Sequence, residues 1–129
     1  MRDTRGVAFT EALVASISRL EGDARKEARV ALAERLTRMK PDTLREYLDD
    51  DEPEIRRAAA LATAAKKNRP HVPDLIRKLS DPEPIVRRAA RHALEKLTGK
   101  AFGPDDEATV SQRKDAIAAW LKWWQANRE

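Results

Sequence analysis

The sequence predicts an all-α fold, an array of stacked antiparallel helical hairpins closed by one further helix. Three observations predict it. The first is repetition at a spacing of 31 residues: Leu44 falls on Leu75, Leu48 on Leu79, Asp50 on Asp81, Glu52 on Glu83 and Pro53 on Pro84. The run Ile55-Arg56-Arg57-Ala58-Ala59 falls on Val86-Arg87-Arg88-Ala89-Ala90, and a fainter third copy holds Leu13, Glu21, Arg25-Lys26, Ala28 and Ala31 in the same slots. Periods of this size belong to supersecondary units that bury their apolar stripes on their neighbours. The second observation is composition: Ala, Leu, Arg, Lys and Glu dominate, the residues that cost least in a helix. The third is punctuation. Pro41, Pro53, Pro73 and Pro84 each stand where a helix would open, a position that tolerates a missing N–H. No strand alternation interrupts the helical periodicity.

Each element has its own justification. The first helix, over about 7–20, carries Leu13, Ile17 and Leu20 on one stripe and Val7 and Val14 on a second. Gly22-Asp23 breaks the chain, and Asp23 is expected to cap a second helix over about 24–39 whose face is Ala28, Ala31, Leu32 and Leu36. A short third helix, about 41–49, carries Leu44 and Leu48 and ends in the acidic run 49–52. The fourth spans about 53–67, and Asn68-Arg69-Pro70 is a turn. The fifth, about 72–80, presents Leu75, Ile76 and Leu79. The sixth, about 84–98, presents Val86, Ala89, Ala90, Ala93, Leu94 and Leu97 and stops at Gly99. After the loop 99–108, Thr109 and Gln112 form a capping box for a last helix over about 110–127. Its stripe is Ile117, Trp120, Leu121 and Trp124, expected to pack on the sixth helix, with Trp123 off the stripe.

The expected organisation over 1–129 is one domain of three hairpins, about 7–39, 41–67 and 72–98, then the loop and a capping helix at 109–127. Val7, Phe9 and Val14 exceed what one hairpin face needs, so the first helix is expected to meet a preceding repeat or a second copy. The chain accordingly reads as the C-terminal part of something longer.

These units resemble HEAT-like repeats, above all the short bacterial form found in phycobilin lyases, which reads Leu-x(3)-Leu-x-Asp, a Pro/Glu-rich turn, then Val-Arg-x-x-Ala-x-x-Ala-Leu. Leu75, Leu79, Asp81, Val86, Arg87, Ala90, Ala93 and Leu94 match that pattern; so do Leu44, Leu48, Asp50, Ile55, Arg56, Ala59 and Ala62, with Thr63 in the Leu slot. The first unit departs, with Arg19 in the Asp slot and Ala24 in the Val slot. The ending, from Leu97-Thr98-Gly99 through Phe102-Gly103 to Trp120, Trp123 and Trp124, is similar to the tail that closes some bacterial HEAT-repeat proteins. The resemblance implies a right-handed α-solenoid used for protein–protein contact. It also implies that Asp50, Arg56, Asp81 and Arg87 bridge neighbouring repeats.

Candidate chemistry is sparse. There is no cysteine, and the two histidines, His71 and His92, lie 21 residues apart, so a metal site is not expected; both are expected at the surface. The acidic run 49–52 lacks the spacing of a calcium loop. Thr98-Gly99-Lys100 lacks the glycine spacing of a phosphate loop, and no serine has a base or elbow motif. No catalytic residues and no cofactor are assigned. No apolar run approaches membrane-spanning length and no signal peptide precedes the first helix, so a membrane partner is not expected.

What remains is charge in register. The net charge is +4, without a basic tail. Lys26, Arg57 and Arg88 share one repeat slot, and Arg29 and Arg91 share another three residues on, on the same helix face. Glu54 and Glu83 stand near enough to neutralise part of these rows. The expected function is a non-catalytic protein-binding or scaffolding module. Its candidate contact residues are Lys26, Arg29, Arg57, Arg88, Arg91 and the off-stripe Trp123. The alternative is nucleic-acid binding through the basic rows.

Overall fold

The protein is described by a computed structural model that covers residues 4–128, with side chains from Thr10 onward. Among the described residues it holds seven α-helices and no strand: α1 (Thr4–Arg19), α2 (Gly22–Thr37), α3 (Pro41–Tyr47), α4 (Pro53–Ala65), α5 (Val72–Lys78), α6 (Pro84–Thr98) and α7 (Val110–Asn127). A 3-10 turn, Arg69–His71, runs directly into α5.

The helix ends follow the local rules, with two departures. Pro opens α3, α4 and α6, and Gly99 closes α6 at φ +74°, its N–H donating to Glu95 O at 2.8 Å. Thr109 and Gln112 make both bonds of the capping box at α7. The first departure is at α2, where Asp23 was expected to cap. Gly22 takes φ +58° and the helix begins there, after Glu21. Asp23 therefore sits inside the first turn, where its negative charge interacts favourably with the positive end of the helix dipole. The second departure is His71, expected at the surface: the 3-10 turn folds it inward and it is buried.

Two layers build the stack. The second helix of each hairpin, α2, α4 and α6, forms one layer with α4 at its centre; α1, α3 and α5 each lie on their own partner. α4 and α6 make the closest helix pair, and the two helices carry buried alanines, Ala58, Ala59 and Ala62 on one and Ala90 and Ala93 on the other, small side chains that allow close approach of backbones. Thr63, in a slot the repeat usually gives to Leu, is also fully buried; its hydroxyl donates to Ala59 O at 2.8 Å, which removes the cost of burying it. Val14 is half-buried at the open end of the first hairpin, and the expectation for Val7 and Phe9 lies outside the described side chains.

Neighbouring repeats are riveted by ion pairs. The guanidinium of Arg56 meets Asp81 side-on, Nε to Oδ2 at 2.9 Å and Nη2 to Oδ1 at 3.2 Å, while Nη1 donates to the carbonyls of Asp50 and Asp51. Asp50 does not pair with Arg56; its carboxylate accepts from Glu52 N, as Asp81 accepts from Glu83 N. Arg87 donates to the carbonyls of Asp81 and Pro82, and among the described residues no carboxylate lies within 4.0 Å of its guanidinium. In the first unit Arg25 donates to Leu20 O. On the other layer the seven-residue helices α3 and α5 are tied by Arg45 to Asp74 and by Lys78 and Arg77 to Asp49.

Lys78 hydrogen-bonded to Asp49, with its charge and that of Arg77, holds that carboxyl below its ordinary value of 3.8 against the opposing pull of burial. A depressed folded-state value stabilises above 3.8 and loses that effect as pH falls through the lower folded value. Asp49→Asn is thus expected to lower the melting midpoint slightly at pH 7, by the ~0.2–1 kcal/mol of an exposed pair. The gap between variant and parent should close as the pH is taken below 3.8. A gap that stays constant through acid titration would show that the pair contributes nothing.

α7 takes the position of the next first helix and its main neighbour is α5, where its stripe was expected to pack on α6. Trp120 is fully buried, while Leu121, expected on the buried stripe, is 41% exposed. α5 is only two turns long and covers little more than the Ala116–Trp120 face.

Candidate protein-binding face

The basic slots lie on α2, α4 and α6, the layer that packs into a continuous surface. Repeat register explains their geometry. Lys26, Arg57 and Arg88 form one row, and Val30, Leu61 and His92, each four residues later, form the row beside it. The second row was legible in the same 31-residue period, but an exposed Val and a His do not announce themselves as members of one slot.

Two adjoining depressions follow these rows. One, of about 550 Å³ between α2 and α4, is floored by Val30, Ala33, Leu61 and Ala65 and edged by Lys26 and Arg57. The other, of about 400 Å³ between α4 and α6, is lined by Arg29, Arg57, Ile85, Arg88 and His92. Arg29, Arg57 and Leu61 belong to both, so the pair makes one groove, cationic along its edge and with its broader apolar floor between α2 and α4. Val30 is 56% exposed, the largest apolar exposure on α2.

The arginines of the groove differ in state. Arg29 is neutralised by a bidentate pair with Glu54, Nε to Oε1 at 3.0 Å and Nη2 to Oε2 at 2.8 Å. Among the described residues no carboxylate lies within 4.0 Å of Lys26, Arg57 or Arg88. Arg57 is half-buried, Arg88 and Lys26 are exposed. Burial first, then the Arg29 cation beside it, push Arg57 below the usual arginine range; Glu54 opposes this and Arg88 adds to it. A guanidinium keeps its proton at any ordinary pH, so this crowding is a free-energy penalty carried by the charged form.

Arg91 and Trp123 stand elsewhere. Arg91 reaches the loop after α6, donating from Nη1 to Pro104 O at 3.0 Å and pairing with Asp106 at 3.3 Å. Trp123 is half-buried, edge-on to Trp120 at 6.5 Å between centroids, with the Arg69 guanidinium 5.4 Å from its ring centre. Among the described residues no cluster of three His, Asp or Glu is placed to hold a metal ion, and no helix is long and apolar enough to cross a membrane.

Stacked helical hairpins with a groove along their second helices define a helical-repeat solenoid. The chain belongs to the HEAT repeats family, whose model matches residues 13–95 and 41–111. No curated protein and no solved structure matches the chain. Proteins built from HEAT repeats commonly serve as scaffolds for protein interaction.

Proposed function

We propose that this chain is a non-catalytic protein-binding module whose contact surface is the α2–α4–α6 face. The observation that carries the reading is the coincidence of two rows on that face: unpaired cations at Lys26, Arg57 and Arg88, beside apolar surface at the exposed Val30 and the half-buried Leu61. Groups placed this way recognise a partner by shape and charge. Nucleic-acid binding is less well supported. It calls for a continuous row of free cations, yet Glu54 neutralises Arg29 and Asp106 occupies Arg91. The aromatic that would stack a base, Trp123, is packed under Arg69.

The test is a photo-crosslinking side chain placed at Val30, and separately at Arg45 on the opposite layer, in cells of the source organism. Discrete protein adducts from Val30 and none from Arg45 are the expected result. Equal labelling from both positions, or adducts to nucleic acid alone, would remove the reading.

A further inference from the structure

We infer that the groove takes a segment of a partner protein that is apolar at one end and acidic at the other, its apolar side chain seated between α2 and α4 and its carboxylates on Arg57 and Arg88. This inference rests on the α2–α4–α6 face being the binding surface, and adds to it the partner's chemistry and direction.

Three observations carry it. The depression between α2 and α4 is floored by Val30, Ala33, Leu61 and Ala65, and its ~550 Å³ leaves ample room for an apolar side chain. Water over that floor is released when an apolar group covers it, which favours binding in proportion to the area removed from solvent. The neighbouring depression collects Arg29, Arg57 and Arg88, and only Arg29 has a carboxylate of its own. Arg57 is half-buried between two other guanidiniums, so the isolated chain carries a like-charge cost that a partner's carboxylate would relieve. Direction follows because the two depressions share Arg29, Arg57 and Leu61 but diverge on either side: toward the apolar floor of Val30, Ala33 and Ala65 in one, toward the unpaired guanidinium of Arg88 in the other. Arg57, at the junction, is placed to hold a carboxylate next in sequence to the seated apolar residue. The fork of a guanidinium matches a carboxylate in two parallel hydrogen bonds, which makes the arrangement selective for Asp and Glu.

Panning a library of short random peptides displayed on phage against the full chain tests this. The expected winners join Leu, Ile, Phe or Met to Asp or Glu within a few positions. Their affinity should fall about tenfold or more on Arg57→Glu with Arg88→Glu, and should weaken with rising salt. Arg88→Glu alone, at an exposed position, should fold normally and still lose several-fold, so the test survives if the Arg57 variant does not fold. Val30→Asp separates the two levels of claim. Winners that Val30→Asp blocks but that lack acidic residues, or that bind the arginine variants undiminished, overturn the acidic partner and leave the face standing. Winners indifferent to Val30→Asp, or binding of a DNA duplex at this face with no peptide selected, overturn the face itself.

Discussion

Replacing Asp81 by alanine is expected to destabilise the protein by about 3–5 kcal/mol, the cost of leaving a buried charge without its partner. Asp81 is the point at which the second repeat grips the third. Its side chain is 3% exposed and that of Arg56 11%, so neither can fall back on water once the other is removed. Each is also engaged elsewhere: Arg56 holds the carbonyls of Asp50 and Asp51, and Asp81 holds Glu83 N at the start of α6. Losing the carboxylate therefore loosens the turn before α6 as well as the pairing of the repeats. Arg56→Ala should cost a comparable amount, because it strands the carboxylate. The double variant should cost less than the sum of the two, since the second removal strands nothing further. Arg87 provides the internal comparison. It occupies the same repeat slot but bonds only the carbonyls of Asp81 and Pro82, so Arg87→Ala should cost only about 0.5–1.5 kcal/mol. Chemical denaturation of the four variants decides the matter. Equal losses at Arg56 and Arg87, or an Asp81→Ala protein as stable as the parent, would show that the rivet between repeats does not hold the stack.

The repeat ladder also shows what a periodic sequence reveals. Slots repeat, so Arg56 and Arg87 look equivalent, as do Asp50 and Asp81. Partners do not repeat: of Arg25, Arg56 and Arg87, only Arg56 pairs with a carboxylate of the following unit. Arg56 finds Asp81, Arg87 settles on the carbonyls of Asp81 and Pro82, and Arg25 settles on Leu20 O. Helices and their order were legible because periodicity and punctuation are local, and Pro53, Pro84 and Gly99 stop or start helices wherever the stack lies. The seat of α7 was less legible. Its apolar stripe says that it packs, but only the alternation of layers says that it packs on α5. For the binding face, the sequence placed the cations in rows and left two things open. One was which of them were already paired, which depended on Glu54 turning to Arg29 and not to Arg57. The other was the apolar row of Val30 and Leu61, hidden because its third member is His92.

Trp120→Ala is expected to cost about 3–5 kcal/mol and to release α7 from the rest of the stack. α7 is eighteen residues long, yet only Ala116 and Trp120 of it are fully buried, with Ile117 and Trp124 half-buried against the core, so one indole is its largest single anchor. That indole is also what folds the preceding loop. Its Nε1 donates to Gly103 O at 2.8 Å, and Phe102 meets its face edge-on with centroids 4.8 Å apart. Remaining ties are weaker and nearer the surface: Arg69 lies over Trp123 and Trp124 and donates to Asn127 O, and Arg91 holds Pro104 and Asp106. Without Trp120 these contacts must hold the helix against the entropy of ordering both it and the loop, and they are not expected to suffice. Trp120→Phe keeps a ring against Phe102 while losing the bond to Gly103 O, so it should fall between the parent and the alanine variant. Amide hydrogen exchange read by mass spectrometry distinguishes local release from global loss. The expected pattern is fast exchange across 110–127 with protection retained in α4 and α6, whose buried alanine contact does not involve Trp120. Uniform loss of protection over every helix would mean that α7 is an integral part of one cooperative core. Unchanged protection in α7 would mean that Arg69 and its two tryptophans hold it unaided.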